Sequence, residues 1–135
     1  MRITIEGDSQ MYIYLKDAKI HQITHNTLTD VLCYLLFDVA NNFIGIRICN
    51  RNANTGQELV LPMVGEIEYP LHQASITDSH TEIVIKFDRN AQIHEEAKDK
   101  CLIDLCDAGI FGIEPMPYTR VRGTEVIKPF IDQTK

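Results

Sequence analysis

The sequence predicts a mainly β fold in a single domain made of two pseudo-repeated antiparallel units, with an α+β fold carrying one short helix as the alternative. Two apolar runs in Cys101–Glu114 are each long enough for a strand but too short for a helix, and they flank a Gly-bearing turn, so this stretch is predicted to be a β-hairpin. A similar pattern recurs in Tyr34–Arg47. Superposing Gly45-Ile46 on Gly112-Ile113 gives an offset of 67 residues, about half of the 135-residue chain. We therefore predict a duplicated β unit.

One domain is expected because 135 residues lie within the commonest size range of single domains. Neither unit alone buries enough apolar surface, so the two are expected to pack against each other. The predicted segments are pseudo-repeat 1 at about 1–50, a connector at about 51–72, pseudo-repeat 2 at about 73–116, and a C-terminal strand and tail at 117–135.

The first half reads as strands separated by polar turns. Apolar and polar residues alternate in the first two segments, whereas Val31–Val39 is almost continuously apolar, which is typical of a strand buried on both faces. The predicted strands are Arg2–Glu6, Met11–Leu15, Ile20–Thr24, Val31–Val39 and Phe43–Cys49, with a loop at His25–Asp30 and a turn at Asn41-Asn42.

The second half follows a linker-like loop at Asn50–Gln57. Its predicted strands are Glu58–Leu61, Ala74–Thr77, Glu82–Phe87 and an edge strand at Thr119–Ile127. Ala91–Lys100 fits a helical period as well as a strand period, and we favour a strand plus a turn. Pro115 and Pro117 are expected to end the ladder, because proline has no N–H to donate.

The formal charge of −6 is unevenly distributed. Residues 68–114 carry 4 basic and 10 acidic groups, whereas residues 1–67 carry 5 and 7. A negative surface repels phosphate backbones, so we predict no nucleic-acid partner and favour a basic protein partner. The alternative is that the acidic surface only aids solubility.

The sequence predicts a cytoplasmic protein. No apolar run approaches the roughly 20 residues that span a bilayer, and no apolar signal core follows Arg2, so neither a membrane segment nor a secretory leader is expected. Three of the four cysteines lie in apolar strand-like runs, and Cys33 and Cys49 are expected on opposite faces of the sheet. We therefore expect free thiols, as is usual in the cytosol.

Asp104, Asp107 and Glu114 form the clustered carboxylates of the chain. A turn centred on Ala108-Gly109 places Asp104 opposite Ile113, so Asp104 and Glu114 share a face only if the hairpin contains a β-bulge. Paired carboxylates could serve as acid and base or bind a hard cation. We favour turn and surface roles for them.

Histidine and cysteine provide two further sets of candidate metal ligands. His21 and His25 have the spacing of a helical metal pair, but their segment reads as strand and loop, and His94, Cys101 and Cys106 lack a closely spaced anchor pair. Serine nucleophile and nucleotide-binding motifs are absent from the sequence. We predict no metal and no cofactor.

The chain resembles the uncharacterised family known as domain of unknown function 2283. The resemblance rests on the Tyr12–Leu15 strand and, in the second half, on Asp104, Gly109 and Gly112–Glu114. It implies a compact β fold and brings no assigned activity. In the first half the matching acidic residue is Asp38, and Arg47 stands where Glu114 stands in the second half.

These patterns favour a non-enzymatic protein-binding module, which docks onto a basic partner as an immunity protein or antitoxin does, or associates with itself as a homodimer. The first alternative is a small metal-dependent hydrolase that uses Asp104, Glu114 and a histidine. The second alternative is a small-ligand-binding protein whose cavity is lined by aromatic residues from both halves: Tyr12, Tyr14, Tyr34 and Phe43. The candidate site residues are Asp104, Asp107, Glu114, Asp38 and Arg47.

Overall fold

A computed structural model describes residues 1–6, 10–24, 27–116 and 124–131, and eight β-strands organise these ranges. The strands are β1 (Arg2–Glu6), β2 (Gln10–Tyr14), β3 (Leu28–Phe37), β4 (Phe43–Asn52), β5 (Ser75–Asp78), β6 (Glu82–Lys86), β7 (Glu95–Cys106) and β8 (Gly109–Met116). A short helix, α1 (Thr124–Ile127), is followed by a 3₁₀ turn at Lys128–Phe130. No helix within these ranges has the length and apolar character that crossing a bilayer requires.

The strands form one curled antiparallel sheet in the order β1-β2-β8-β7-β3-β4-β6-β5. Side chains alternate between the two faces of a strand, so Val31, Cys33 and Leu35 of β3 enter the enclosed core together. Aromatic rings fill its centre, with Phe43 and Phe87 in an edge-to-face contact at 5.2 Å. The prediction of a mainly β fold is confirmed.

The strand order has an internal symmetry. Exchanging β1–β4 with β5–β8 gives the same order read from the opposite edge, because the β1-β2 hairpin pairs with β8 and the β5-β6 hairpin pairs with β4. In this arrangement each half extends the sheet of the other. It is the arrangement expected of a duplicated unit, although the duplication itself stays a prediction.

The two Gly-Ile segments occupy corresponding positions in this order. In the β3-β4 hairpin Leu36 pairs with Gly45 and Phe37 with Phe43, which leaves Ile44 as an extra residue. In the β7-β8 hairpin Asp104 pairs with Gly112 and Leu105 with Ile110, which leaves one extra residue in the same way. Both hairpins thus contain a bulge immediately before the glycine.

Several predicted boundaries in the first half were wrong. Residues Ile20–Thr24 are not a strand: Ile20 N–H donates to the Asp17 carbonyl in a turn, and the segment continues without strand pairing. β3 begins at Leu28, inside the predicted His25–Asp30 loop, because pairing with β7 extends it. β4 continues through Asn52 into the predicted Asn50–Gln57 loop, because its end pairs with β3, where Asn52 lies opposite Val31.

The predictions after residue 52 also needed correction. Glu58–Leu61 forms only an isolated bridge between Glu58 and Arg51. The ambiguous Ala91–Lys100 segment joins the hairpin as strand from Glu95 onward, because it pairs along the whole of β3. Pro115 does not end the ladder but pairs with Cys101.

The predicted edge strand at Thr119–Ile127 was wrong where it can be compared. Residues 124–127 are helical, whereas residues 119–123 and Pro117 lie outside the described ranges. Phe130 follows the helix and is fully buried, and Ile131 forms a parallel bridge with Ile3. The C-terminal segment therefore completes the core where a frayed tail was expected.

Candidate functional site

The outer face of the sheet carries a cleft beside strands β1, β2 and β8. It encloses about 220 Å³. Its lining includes Thr4, Glu6, Gln10, Tyr12, Tyr14 and Glu114, and we call it the acidic cleft. The cleft exists because β8 lies next to β2 in the sheet, with Tyr14 paired with Gly112.

Asp104 and Glu114 share this face because the β7-β8 hairpin is bulged. Asp104 pairs with Gly112, and Glu114 lies two residues further along β8, so both side chains point the same way. The sequence required a bulge for this shared face, and the bulge is present. Asp104 pairs with Gly112 where Ile113 was predicted, because the turn is centred on Asp107-Ala108 and the bulge then adds one residue to β8.

Asp104 is held by two hydroxyl groups at the border of the acidic cleft. The Tyr12 hydroxyl donates to Oδ2 at 2.7 Å, and the Thr27 hydroxyl donates to Oδ1 at 2.9 Å. Burial raises the pKa of Tyr12, and the bond to Asp104 raises it further, so the phenol stays protonated as a donor. Asp104 is therefore held by tyrosine and threonine hydroxyls, where the hydrolase hypothesis required a histidine.

The space over Gly112 is occupied by the Tyr12 ring. A Cβ atom at position 112 would lie 2.5 Å from the ring carbon Cζ of Tyr12, far inside van der Waals contact. Only glycine lets this ring lie flat enough on β8 for its hydroxyl to reach Asp104. The glycine thus shapes the wall of the acidic cleft.

Glu114 is an uncompensated charge. Burial raises its pKa above the ordinary value of 4.5, and repulsion by Asp104 and then by Glu6 raises it further. Within the described ranges, no lysine, arginine or histidine nitrogen lies within 4.0 Å of any of these three carboxylates. A carboxylate of this kind inside a cleft is typical of a binding site.

Replacing Glu114 with glutamine is expected to stabilise the fold at pH 7, by on the order of 0.5 kcal/mol. The pKa of Glu114 is higher in the folded than in the unfolded chain, so its ionisation lowers the free energy of unfolding as the pH rises above about 4.5. The gain should therefore disappear near pH 4. Urea unfolding of the wild type and Glu114→Gln at both pH values measures it.

Glu58→Gln is the matched control, because it removes the same charge from an exposed position outside the cleft. It should change the free energy of unfolding by less than Glu114→Gln at pH 7. An equal gain in both variants, or a loss of stability in Glu114→Gln, would contradict the conclusion that the ionised Glu114 side chain destabilises the fold.

Asp38 and Arg47 lie elsewhere and are satisfied locally. Asp38 accepts the backbone N–H of Asn42 at 2.8 Å, which lowers its pKa and closes the β3-β4 turn. Arg47 donates through Nε and Nη2 to the two oxygens of Glu96, at 3.0 and 3.2 Å, and through Nη1 to Glu82 at 3.3 Å. Arg47 thus occupies the position that corresponds to Glu114, but its charge is paired.

A second cluster lies at the far end of the β7-β8 hairpin. His21, Cys106 and Asp107 each place one potential metal-ligand atom within 4.8 Å of the other two. Thr24 N–H donates to the Leu105 carbonyl at 2.8 Å and holds the His21 segment beside the hairpin. We call these three residues the His-Cys-Asp cluster.

Glu68 from the connector supports His21. Its Oε2 lies 2.9 Å from His21 Nε2, and its Oε1 accepts the Asp17 N–H at 2.8 Å, a bond that lowers the pKa of Glu68. The bond with Glu68 raises the pKa of His21, and the exposed Asp107 carboxylate, 3.5 Å from Nδ1, adds to this. Two carboxylates therefore flank one imidazole.

The other predicted groupings are not brought together. His94 immediately precedes the twelve-residue β7 and Cys106 ends it, whereas Cys101 lies in the core, and His25 is outside the described ranges. Phe43 is buried in the core, whereas Tyr12 and Tyr14 line the acidic cleft, so the predicted aromatic pocket does not form. All four cysteines are free thiols.

Sequence reasoning missed Glu6, Thr27 and Glu68 as members of these sites. Glu6 lies in an alternating strand with nothing to distinguish it from an ordinary exposed residue, and Thr27 and Glu68 lie in irregular segments. The one usable signal was the alternation in Arg2–Glu6, in which Glu6 falls among the polar residues and is therefore assigned to the outer face.

No protein-family model matches the chain, and no curated protein or solved structure matches it either. The resemblance to domain of unknown function 2283 therefore stays a prediction.

Proposed function

We propose that this chain is a non-enzymatic protein-binding module whose acidic cleft receives a lysine or arginine side chain of a basic partner. The observation that carries the proposal is the concentration of Glu6, Asp104 and Glu114 around two tyrosines, with no ion-pair partner for these carboxylates within the described ranges. A cation from a partner would supply the missing counter-charge.

The energetics favour a cation from outside the chain. Desolvation and repulsion already disfavour the ionised form of Glu114, so a bound cation gains both the direct attraction and the relief of repulsion from Asp104 and Glu6. Tyrosine faces add a cation–π contribution. The Arg2 guanidinium, 4.8 Å from the centre of the Tyr14 ring, illustrates that contact within the chain.

The two halves of the sheet provide an internal comparison. At the position that corresponds to Glu114, Arg47 forms ion pairs with Glu96 and Glu82, so the charges there compensate each other. Glu114 has no ion-pair partner among the described residues. The same sheet position is thus built as an internal salt-bridge network in one half and as an acidic cleft in the other, which supports a binding role for the second.

The size of the cleft supports a side chain as its occupant. A volume of about 220 Å³ lies below the range usual for drug-sized ligand pockets, about 300–1,000 Å³, and suits one long basic side chain. The adjoining strand β1 is the last strand of the sheet, and among the described residues its outer side is bridged only at Ile3, by Ile131, so its other backbone groups can accept contacts from a partner. An immunity- or antitoxin-like role fits such a surface.

Short labelled peptides test the proposal by fluorescence anisotropy. Peptides with a central lysine or arginine are expected to bind the wild type, with affinity that falls as salt is raised, whereas the norleucine analogue should bind at least about 10-fold more weakly. Glu114→Gln should weaken lysine-peptide binding about 10-fold, because it removes a partly buried counter-charge.

Glu58→Gln is again the control and should bind as the wild type does, because Glu58 lies outside the acidic cleft, while its net charge equals that of Glu114→Gln. Equal binding of lysine and norleucine peptides, or equal losses in both variants, would reject the cleft as a cation site. A concentration-dependent dimer that Glu114→Gln leaves intact, combined with no peptide binding, would favour self-association instead.

A further inference from the structure

We propose that the His-Cys-Asp cluster binds a Zn²⁺ ion through His21, Cys106 and Asp107. The cluster shares no residue with the acidic cleft, so the proposal is independent of the peptide-binding function. One donor atom from each residue lies within 4.8 Å of the other two. The three donors come from the Asp17–Thr24 segment and from the β7-β8 turn, which Thr24 ties together through its bond to the Leu105 carbonyl.

His21 directs its Nδ1 atom towards Asp107. The Glu68 carboxylate can only accept a hydrogen bond, so His21 Nε2, 2.9 Å away, carries the ring hydrogen of the neutral imidazole. His21 Nδ1 then directs a lone pair towards the Asp107 carboxylate oxygen at 3.5 Å. In this tautomer Nδ1 and the Asp107 oxygen present two lone pairs that a metal ion can accept together.

Cys106 supplies the third donor. A metal ion at this position would use the nitrogen, sulfur and oxygen atoms at once. Sulfur, nitrogen and oxygen ligands together suit Zn²⁺, while Ca²⁺ and Mg²⁺ prefer oxygen ligands alone. Zinc bonds of about 2.0 to 2.3 Å require the donors to approach each other slightly, which the exposed Asp107 side chain can provide.

Glu68 has the position of a supporting carboxylate. Histidine ligands of zinc commonly donate their second ring N–H to a carboxylate, which fixes the tautomer and orients the ring. Glu68 does this for His21 and is itself fixed by the Asp17 N–H at 2.8 Å. Three protein ligands leave a fourth position, which faces solvent because the Asp107 side chain is 88% exposed.

Cobalt titration of the reduced, chelator-treated chain tests the site. Co²⁺ bound to a thiolate gives a charge-transfer absorption in the near ultraviolet, so the wild type should develop this band with one equivalent of Co²⁺ and lose it when Zn²⁺ is added. Cys106→Ser should abolish the band. Asp107→Asn and Glu68→Gln should keep the band and weaken Zn²⁺ binding by about 10- to 100-fold.

Cys49→Ser is the matched control, because Cys49 is a half-buried thiol on β4 and should leave the band unchanged. Absence of the band in the wild type, or its persistence in Cys106→Ser, would overturn the proposal. Metal binding without the band, equal in the wild type and Cys106→Ser, would assign the ion to surface carboxylates and overturn it too. If circular dichroism shows that Cys106→Ser does not fold, Asp107→Asn takes its place, because Asp107 lies on the exposed turn. An unchanged affinity of Asp107→Asn for Zn²⁺ would then contradict the proposal.

Discussion

Gly45→Ala is expected to lower the free energy of unfolding by on the order of 3 kcal/mol. An added Cβ would collide with the carbonyl oxygen of Ile85, and it would lie 3.1 Å from Lys86 Cα. These are backbone atoms of β6 in register with β4, so no side-chain rotation relieves the collision. Urea unfolding monitored by circular dichroism measures the loss.

Gly56→Ala is the control for Gly45→Ala. Its φ of +73° strains a β-carbon, but nothing lies within 4 Å of the added atom, so only about 1 kcal/mol should be lost. A loss at Gly45 no larger than the loss at Gly56 would mean that β4 and β6 do not approach as closely as described. The same result would count against the pairing of β4 with β6, on which the symmetric strand order depends.

Phe130→Ala is expected to cost about 3 to 5 kcal/mol. The Phe130 side chain is fully buried, and its ring lies 6.4 Å from that of Phe87 and 5.8 Å from that of His72. Removing it leaves a cavity between the C-terminal segment and the aromatic core. Thermal and urea unfolding should both show the loss.

Val60→Ala is the control for Phe130→Ala, because Val60 is 91% exposed and its truncation should change stability by less than about 0.5 kcal/mol. Similar stabilities for the two variants would show that the C-terminal segment is not docked in solution. Residues 128–131, which follow the strand predicted at Thr119–Ile127, would then behave as the tail that the sequence suggested.

The sequence predicted the local hairpins because their signals are local. Alternation in Arg2–Glu6 and turn residues at Asn41-Asn42 lie within a few residues of the contacts they specify. The short strand predicted at Ile20–Thr24 failed because Ile20 and Ile23 are exposed and the segment starts in a turn at Asp17, so this apolar pair does not mark the buried face of a strand. Phe130 was missed since one aromatic residue near a terminus has no periodicity.

The sheet order could not be read from periodicity. Pairing of β2 with β8 joins residues about a hundred positions apart, and the Tyr12–Asp104 hydrogen bond spans 92 residues. The partnership of Asp104 and Glu114 was foreseen only on condition of a bulge. The extra residue of that bulge is Phe111, whose buried ring lies edge-to-face with the Tyr14 ring at 6.0 Å, a contact between distant segments that periodicity does not reveal. Alternation assigns Glu6 to the outer face, but no local pattern places Glu6 and Tyr12 beside these carboxylates, because that depends on the pairing of β2 with β8.

Glu114 combines the two effects expected of a functional residue. The Glu114→Gln variant should be more stable than the wild type and should bind cations more weakly. Replacing a residue that serves only the fold should not raise stability and weaken binding together. The stability measurement and the peptide measurement use the same variant. Together they separate a strained binding carboxylate from an ordinary surface charge.

Amide chemical-shift mapping with the lysine peptide tests the central claim most directly, because it locates the binding surface in the wild-type chain. We predict saturable shifts concentrated in β1, β2 and β8 around Glu6, Tyr12 and Glu114, which the norleucine analogue does not produce. Shifts concentrated around Arg47 on the opposite half of the sheet, or no saturable shifts at millimolar peptide, would contradict the account.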